Sequence, residues 1–206
     1  MQEIMMRFRL KQLIKACAVC IVALFIPAFA SAAVQTAIAS FAMGCFWCAQ
    51  SDFDKVPGVI KTVVGYTGGA VKNPSYEQVS GGGTGHYESI EVFYDPNKVS
   101  YPALLNVFWH NIDPTDATGQ FCDKGGQYRA VIFYQNAEQK AQAENSKQEI
   151  IASKNFVQVV TQILPATTFY PAEEYHQKYY QKNPIRYKFY RQNCGRDQRL
   201  KQLWGH

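Results

Sequence analysis

Two cysteines three positions apart, in Gly44-Cys45-Phe46-Trp47-Cys48, are the residues of this sequence best suited to chemistry. The apolar run 37–43 before them reads as a buried strand, and 46–55 has helical apolar spacing that stops at Pro57-Gly58. Cys45 therefore falls at a helix N-terminus, where free backbone N–H groups and the positive end of the dipole favour a thiolate. Gly44 allows the tight turn into it. Phe46 and Trp47 place two aromatic faces beside the sulfur. Such a cradle suits a small apolar group on an electrophilic atom, the methyl of a sulfoxide being one. An isolated Trp reads as core; beside this Cys it reads as pocket wall.

Cys48 completes Cys-x-x-Cys, which signals either a dithiol redox motif or half of a zinc site. Zinc needs four ligands, and Cys122 and Cys194 are far along the chain and not a close pair, so no metal is expected. Glu88 opens a strand after the glycine-rich stretch that ends at Thr84-Gly85-His86-Tyr87. Near an aromatic pocket its carboxyl would be held protonated and could give a proton to a leaving oxygen. Local sequence by itself favours the blander reading, a solvated Glu on an edge strand. Asp123 and Tyr128, in Asp123-Lys124-Gly125-Gly126-Gln127-Tyr128, and Tyr76, after Pro74, can aim polar groups at the same place, although any one of 13 tyrosines has a bland explanation. Glu173-x-x-His176 has the i, i+3 spacing of carboxylate-bridged metal helices, but it occurs once, in a chain with four His, and reads as structural.

The elements that must position these residues follow from periodicity and turn signals. Strands are expected over 37–43, 59–66, 88–94, 129–134 and 156–164. Helices are expected over 46–55, 101–111 (capped by Ser100, with Pro102 in the first turn), 137–153 and, briefly, 172–181. The remainder reads as irregular until 200–204. The first six elements run strand, helix, strand, strand, helix, strand, the order of a split βαβ arrangement. Loops 67–85 and 113–127 exceed what connection requires, and long loops in compact domains tend to carry function.

At 47% hydrophobic and 18% charged residues, 206 residues make a globular chain of one-domain size once a leader is subtracted. Residues 1–32 carry that leader's signature. Arg7, Arg9, Lys11 and Lys15 precede an uncharged apolar run, followed by small-x-small sites at Ala28-Phe29-Ala30 and Ala30-Ser31-Ala32. The expected organisation is a signal peptide over 1–32 and one domain over 33–206, exported and periplasmic, with no stable membrane anchor after cleavage. The leader removes much of the formal charge of +5, so nothing argues for a nucleic-acid partner, and the basic residues near the C-terminus read as a solvated tail. Cys17 and Cys20 leave with the leader. In an oxidising compartment the four that remain imply structural bridges or redox chemistry.

Taken together, the motifs GCFWC (44–48), VGYTGG (64–69), NPSYEQVSGG (73–82), TGHYESIEVFYDP (84–96), FWHNIDPT (108–115), DKGGQYRAVIF (123–133), FYPAEEYHQKYYQKNP (169–184) and NCGRDQRLKQLWG (193–205) resemble the A-type peptide-methionine sulfoxide reductases, in order and over nearly the whole mature chain. The resemblance implies an α+β fold: a two-layer α/β sandwich with a ferredoxin-like split βαβ core, a mixed sheet and an irregular C-terminal tail. It implies thiol-dependent reduction of methionine S-sulfoxide, free or in proteins, through a Cys45 sulfenic acid and an intramolecular disulfide. No bound cofactor is implied; a thioredoxin-like dithiol would be the electron donor, and a monomer is expected. Cys45 falls on the family's nucleophile, Phe46 and Trp47 on its methyl pocket, and Glu88 on its proton donor, which overrides the local reading of Glu88. Tyr76, Asp123 and Tyr128 fall on its substrate-holding positions. Many members lack a Cys where Cys48 stands, and resolving cysteines vary in place near the C-terminus. Cys194, beside Gly195, is the expected resolver, with Cys48 or a relay through Cys122 as alternatives; Cys48 stands fixed one helical turn away and is expected to be the less free of these. Two rival functions remain: a general thiol–disulfide oxidoreductase using Cys45-x-x-Cys48, and a non-catalytic module with structural disulfides.

Overall fold

A computed structural model describes residues 35–153 and 156–205; the leader expected over 1–32 lies outside the described residues. Gln35–His206 forms one compact unit. Strand β1 (Ala37–Met43) leads into helix α1 (Phe46–Phe53), then β2 (Val59–Thr67), a short α2 (Tyr76–Ser80), β3 (Tyr87–Tyr94) and α3 (Tyr101–Trp109). A small hairpin of β4 (Gly119–Gln120) and β5 (Asp123–Lys124) follows, then β6 (Ala130–Tyr134), α4 (Ala137–Ala152), β7 (Gln162–Pro165) and β8 (Tyr170–Pro171). Helices α5 (Tyr179–Lys182), α6 (Pro184–Asn193) and α7 (Arg196–Trp204) complete the described chain.

The main sheet has the order β7-β6-β1-β3-β2-β8. Its four central strands pair antiparallel in the expected split βαβ order, and β7 joins parallel to β6, which makes the sheet mixed. From Ala39 onward strand β1 is buried on both faces, and its residues are apolar rather than alternating except for Ser40, whose hydroxyl accepts from Gln135 Nε2. Phe41 and Met43 join Phe53, Leu104, Phe108 and Ala143 in the helix-side core, while Ala42 packs with Val131 and Phe133 on the other side. Phe41 stacks on Phe53 and on Phe108 with ring centroids 5.2 Å apart in each pair, contacts that add about 0.5–1.5 kcal/mol each beyond the area they bury. This packing fixes the end of β1, from which the Cys45 segment departs.

The structure departs from expectation in the loops and at the C-terminus. Loop 67–85 contains α2, whose N-terminus is closed by a capping box between Ser75 and Gln78. Loop 113–127 contains the β4–β5 hairpin. The strand expected over 156–164 begins only at Gln162, where pairing with β6 starts. The helix expected over 172–181 is replaced by turns and α5, with Lys178 left-handed at φ +53°. The tail expected to be irregular is instead helical, as α6 and α7. Its helices are polar with few apolar positions, so periodicity is weak. They are held by specific contacts: Tyr187 and Leu200 are buried, and Arg196 is buried beneath the β1–α1 turn. Among the described residues no helix is long and apolar enough to cross a membrane.

Candidate active site

The chain turns from β1 to α1 at Gly44, with φ +79°, where a Cβ would stand 2.6 Å from the Gln120 side chain; both facts require glycine. Cys45 is the N-cap of α1, and its carbonyl accepts from Cys48 N–H at 3.1 Å. The next free N–H of the helix start, that of Phe46, donates to Glu88 Oε2 at 3.0 Å. The helix terminus thus holds the carboxyl of Glu88 as well as the sulfur.

Glu88 is not a solvated edge residue. It shares its strand face with Ile90, Val92 and Tyr94 on a strand between β1 and β2, and it is 3% exposed. Burial pushes its carboxyl up to about 8, against the pull of the Phe46 N–H, so it carries its proton at neutral pH. Across the pocket, the Tyr128 and Tyr76 hydroxyls hydrogen-bond to each other. Burial raises both phenols, Tyr76 to about 12, which keeps them as O–H donors. Asp123 sits at the same wall. Burial raises its carboxyl, while a hydrogen bond from Tyr190 Oη, 2.5 Å from Asp123 Oδ2, opposes the rise.

Phe46 and Trp47 form the aromatic side. Phe46 is buried against Tyr66 and His176, and Trp47 stacks on Tyr179 at 3.8 Å between centroids. Trp47 Nε1–H donates to His176 Nδ1 at 3.0 Å. Burial keeps His176 below the usual imidazole range, so it stays a neutral acceptor there. Glu173 accepts from Tyr66 Oη at 2.8 Å and from Tyr76 N–H at 2.9 Å. The Glu173/His176 pair therefore braces the pocket walls. Tyr190, Tyr179 and His176 escaped the sequence reading as site residues. Only the clustering of aromatics over 169–190 signalled them.

These groups line a pocket of about 70 Å³, with Cys45, Glu88, Tyr76, Tyr128, Asp123 and the two aromatics of the Cys45 motif on its walls. Every candidate substrate-holding residue lines it. Cys45 and Cys48 are free and buried. The unpaired thiolate expected at Cys45 is not found. Burial pushes its thiol well up, and contact with the Cys48 sulfur and nearby negative charge push it further. Cys48 is drawn down to about 7, first by the hydrogen bond from Cys45, with burial opposing and Arg196 and Arg191 assisting. Of the two thiols, Cys45 is thus the one held protonated and Cys48 the more readily ionised.

Cys194, the expected resolver, is not a free thiol in this structure. It is the C-cap of α6 and is disulfide-bonded to Cys122, with Cα atoms 4.9 Å apart. The reason is positional: Cys122 sits between β4 and β5, and the α6–α7 turn at Gly195 presents Cys194 to it rather than to Cys45. Among the described residues these two cysteines and Asp123 form the one group spaced to hold a metal ion, but disulfide sulfurs are not thiolate ligands.

A family model described as peptide methionine sulfoxide reductase matches residues 37–206. The chain is 52% identical over 168 residues to the peptide methionine sulfoxide reductase MsrA of Halalkalibacterium halodurans, covering 81% of this chain and 96% of the relative. It is 50% identical over 169 residues to that of Bacillus subtilis, covering 82% and 96%. Among solved structures it is similar to methionine sulfoxide reductase A of Corynebacterium diphtheriae, with a TM-score of 0.67, 33% identity, and coverage of 75% of this chain and 78% of that one. The reduced form of Mxr1 from Saccharomyces cerevisiae gives 0.69 and 31%, with coverage of 73% and 87%.

Proposed function

The chain belongs to the peptide methionine sulfoxide reductase family, and from that premise we propose that Cys45 reduces methionine S-sulfoxide, free or in proteins, at the pocket just described. The observation that carries the reading is the meeting of three groups in one small cavity: the Cys45 sulfur, a carboxyl at residue 88 held protonated near neutral pH, and an aromatic wall. The sulfoxide methyl packs on Phe46 and Trp47. Its oxygen takes hydrogen bonds from Glu88 and from the Tyr76 and Tyr128 hydroxyls, which polarises the S–O bond. Cys45 attacks the sulfoxide sulfur as its proton passes, by way of Glu88, to the sulfoxide oxygen. Oxygen moves to Cys45, methionine leaves, and a sulfenic acid remains, the reversible first rung of thiol oxidation. An intramolecular thiol condenses with it to a disulfide, and a thioredoxin-like dithiol restores the pair by exchange.

The setting is extracytoplasmic. The leader-like residues 1–32 support this, as does the Cys122–Cys194 disulfide, a bond that persists in oxidising compartments. Kinetics with both methionine sulfoxide epimers on wild type and Cys45→Ser test the reading. S-selective turnover in the wild type alone is expected; equal use of both epimers, or a Cys45→Ser enzyme that still cycles, rejects it.

A further inference from the structure

We propose that His176 is a positioning residue that pins the Trp47 indole as a wall of the methyl pocket, and that protonating His176 releases the pin and weakens substrate binding; the inference rests on the reductase reading above. Trp47 is half-buried. Tyr179 stacks on its ring at 3.8 Å, and Tyr190 meets it edge-on at 5.9 Å between centroids. Stacking fixes the plane of an indole but lets it slide and turn within that plane. A hydrogen bond is directional and removes that freedom. The 3.0 Å bond from Trp47 Nε1–H to His176 Nδ1 supplies the missing constraint.

The unsatisfied side of the same imidazole is the second observation. An indole N–H can only donate, so Nδ1 must be bare and the ring proton must sit on Nε2. His176 is 1% exposed, and its Nε2 has no hydrogen-bond partner among the described residues. Glu173 Oε2 is 3.9 Å away, too far for a hydrogen bond, and already accepts from Tyr66 Oη. The other Glu173 oxygen accepts from the Tyr76 N–H. A buried N–H left unpaired calls for an explanation. The opposite tautomer would set two donors against each other at Trp47. The orphaned Nε2–H is the counterpart of an acceptor committed to the pocket wall.

Charge state follows from the same geometry. An imidazolium carries hydrogen on both nitrogens and cannot accept from Trp47. The ring is packed among Phe46, Tyr76 and Tyr175, with centroids 5.0, 4.4 and 4.2 Å away, which leaves it little room to swing aside. Among the described residues the titratable groups facing it are Glu173 and Tyr175 from its own segment and Glu77 and Tyr76 from α2. Tyr66 of β2 is engaged by Glu173, and α1 contributes Phe46 and Trp47, which do not titrate. Burial outweighs the opposing pull of the Glu173 and Glu77 carboxylates, so the ring is neutral at pH 7. The pin holds there and fails as pH falls below the ordinary imidazole range of about 6.5.

Measuring the Kd of methionine S-sulfoxide in a Cys45→Ser background separates affinity from turnover. His176→Leu should raise Kd about five-fold at pH 7, the equivalent of one ordinary hydrogen bond. His176→Asn, whose Oδ1 can accept from Trp47 as Nδ1 does, should recover most of that loss. With His176 in place, Kd should climb toward the same five-fold as pH falls from about 7 to about 4.5, and in His176→Asn it should stay level. An acid rise that persists in His176→Asn belongs to Glu173, Glu77 or Asp123 and overturns the proposal, as does a His176→Leu enzyme that binds as tightly as its parent. Nitrogen NMR of wild type labelled in histidine and tryptophan needs no variant at position 176. His176 should be the neutral Nε2–H tautomer at pH 7. The Trp47 indole N–H should exchange slowly and lose that protection in acid, while the Trp109 indole, bonded to Ser146 Oγ, keeps its own. An Nδ1–H tautomer or an imidazolium at pH 7 overturns the pin. A wild type that turns over no sulfoxide removes the reductase reading instead, and the NMR result still decides whether Trp47 is pinned.

Discussion

Cys45 and Cys48 stand at the head of one helix, on a turn that leaves a central strand buried on both faces. Cys122 and Cys194 join a two-residue-stranded hairpin to the end of α6, 72 residues further along the chain. The first pair is buried and reduced; the second is oxidised, and Cys122 is exposed to solvent. Cys45 lines the pocket directly, whereas the second pair reaches it only through neighbours: Asp123, which follows Cys122, and Tyr190, one turn before Cys194. The contrast separates a frame from a cover. Regular elements hold the reacting groups on the frame side, where backbone hydrogen bonds fix their spacing. On the cover side a covalent staple and side-chain bonds hold a wall that local sequence would not hold in place. Changes to the frame should therefore alter rate, and changes to the cover should alter stability and substrate affinity.

Replacing the nucleophile breaks the frame most severely. Cys45→Ser should lower multiple-turnover kcat by about 10⁴-fold or more, with the fold retained by circular dichroism. Next, Glu88→Gln should lower kcat/KM by about 10²–10³-fold while keeping an acceptor for the Phe46 N–H. Wild type needs residue 88 protonated, so its activity should fall as pH rises through about 8, and the variant should lack that limb. The sign for stability is opposite. A carboxyl raised in the folded state costs stability as pH climbs, so Glu88→Gln should become more stable than wild type between pH about 4.5 and about 8, then keep a constant margin. Calorimetry at both ends of that window checks it.

Where frame meets cover, Trp47→Ala removes the stack of this α1 residue on Tyr179 and its bond to His176, and should raise KM by roughly ten-fold, more than it lowers kcat. Cys122→Ser/Cys194→Ser should continue to cycle with a dithiol while losing about 2–4 kcal/mol of stability by denaturant titration, as expected for opening a long loop. A cover variant that stops turnover as completely as Cys45→Ser would erase the distinction between frame and cover.

The order of the first six elements was readable because strands 37–43 and 59–66 and the helix after Cys45 carry strong apolar periodicity bounded by Gly and Pro. The C-terminal helices were not, since α6 and α7 are polar and owe their burial to Tyr187, Arg196 and Leu200 at isolated positions. Glu88 carries its own signal in the strand spacing. A period of two puts it on the same face as Ile90, Val92 and Tyr94, which already marks it as buried. Tyr190 and Arg196 carried no such mark, because their partners, Asp123 and the carbonyls of Met43 and Asn111, lie 67 or more residues away.

The chain's own pattern determined that a cysteine would head a helix beside two aromatics, and that a strand would carry residue 88 nearby; these are consequences of local spacing. Which sulfurs meet, and which of them hold protons, belongs to the tertiary structure alone. Pairing and ionisation depend on distances between segments far apart in sequence and on how much water each group loses. Here that buries Arg196 against the Met43 carbonyl at the end of β1 and leaves Cys194 bound to Cys122.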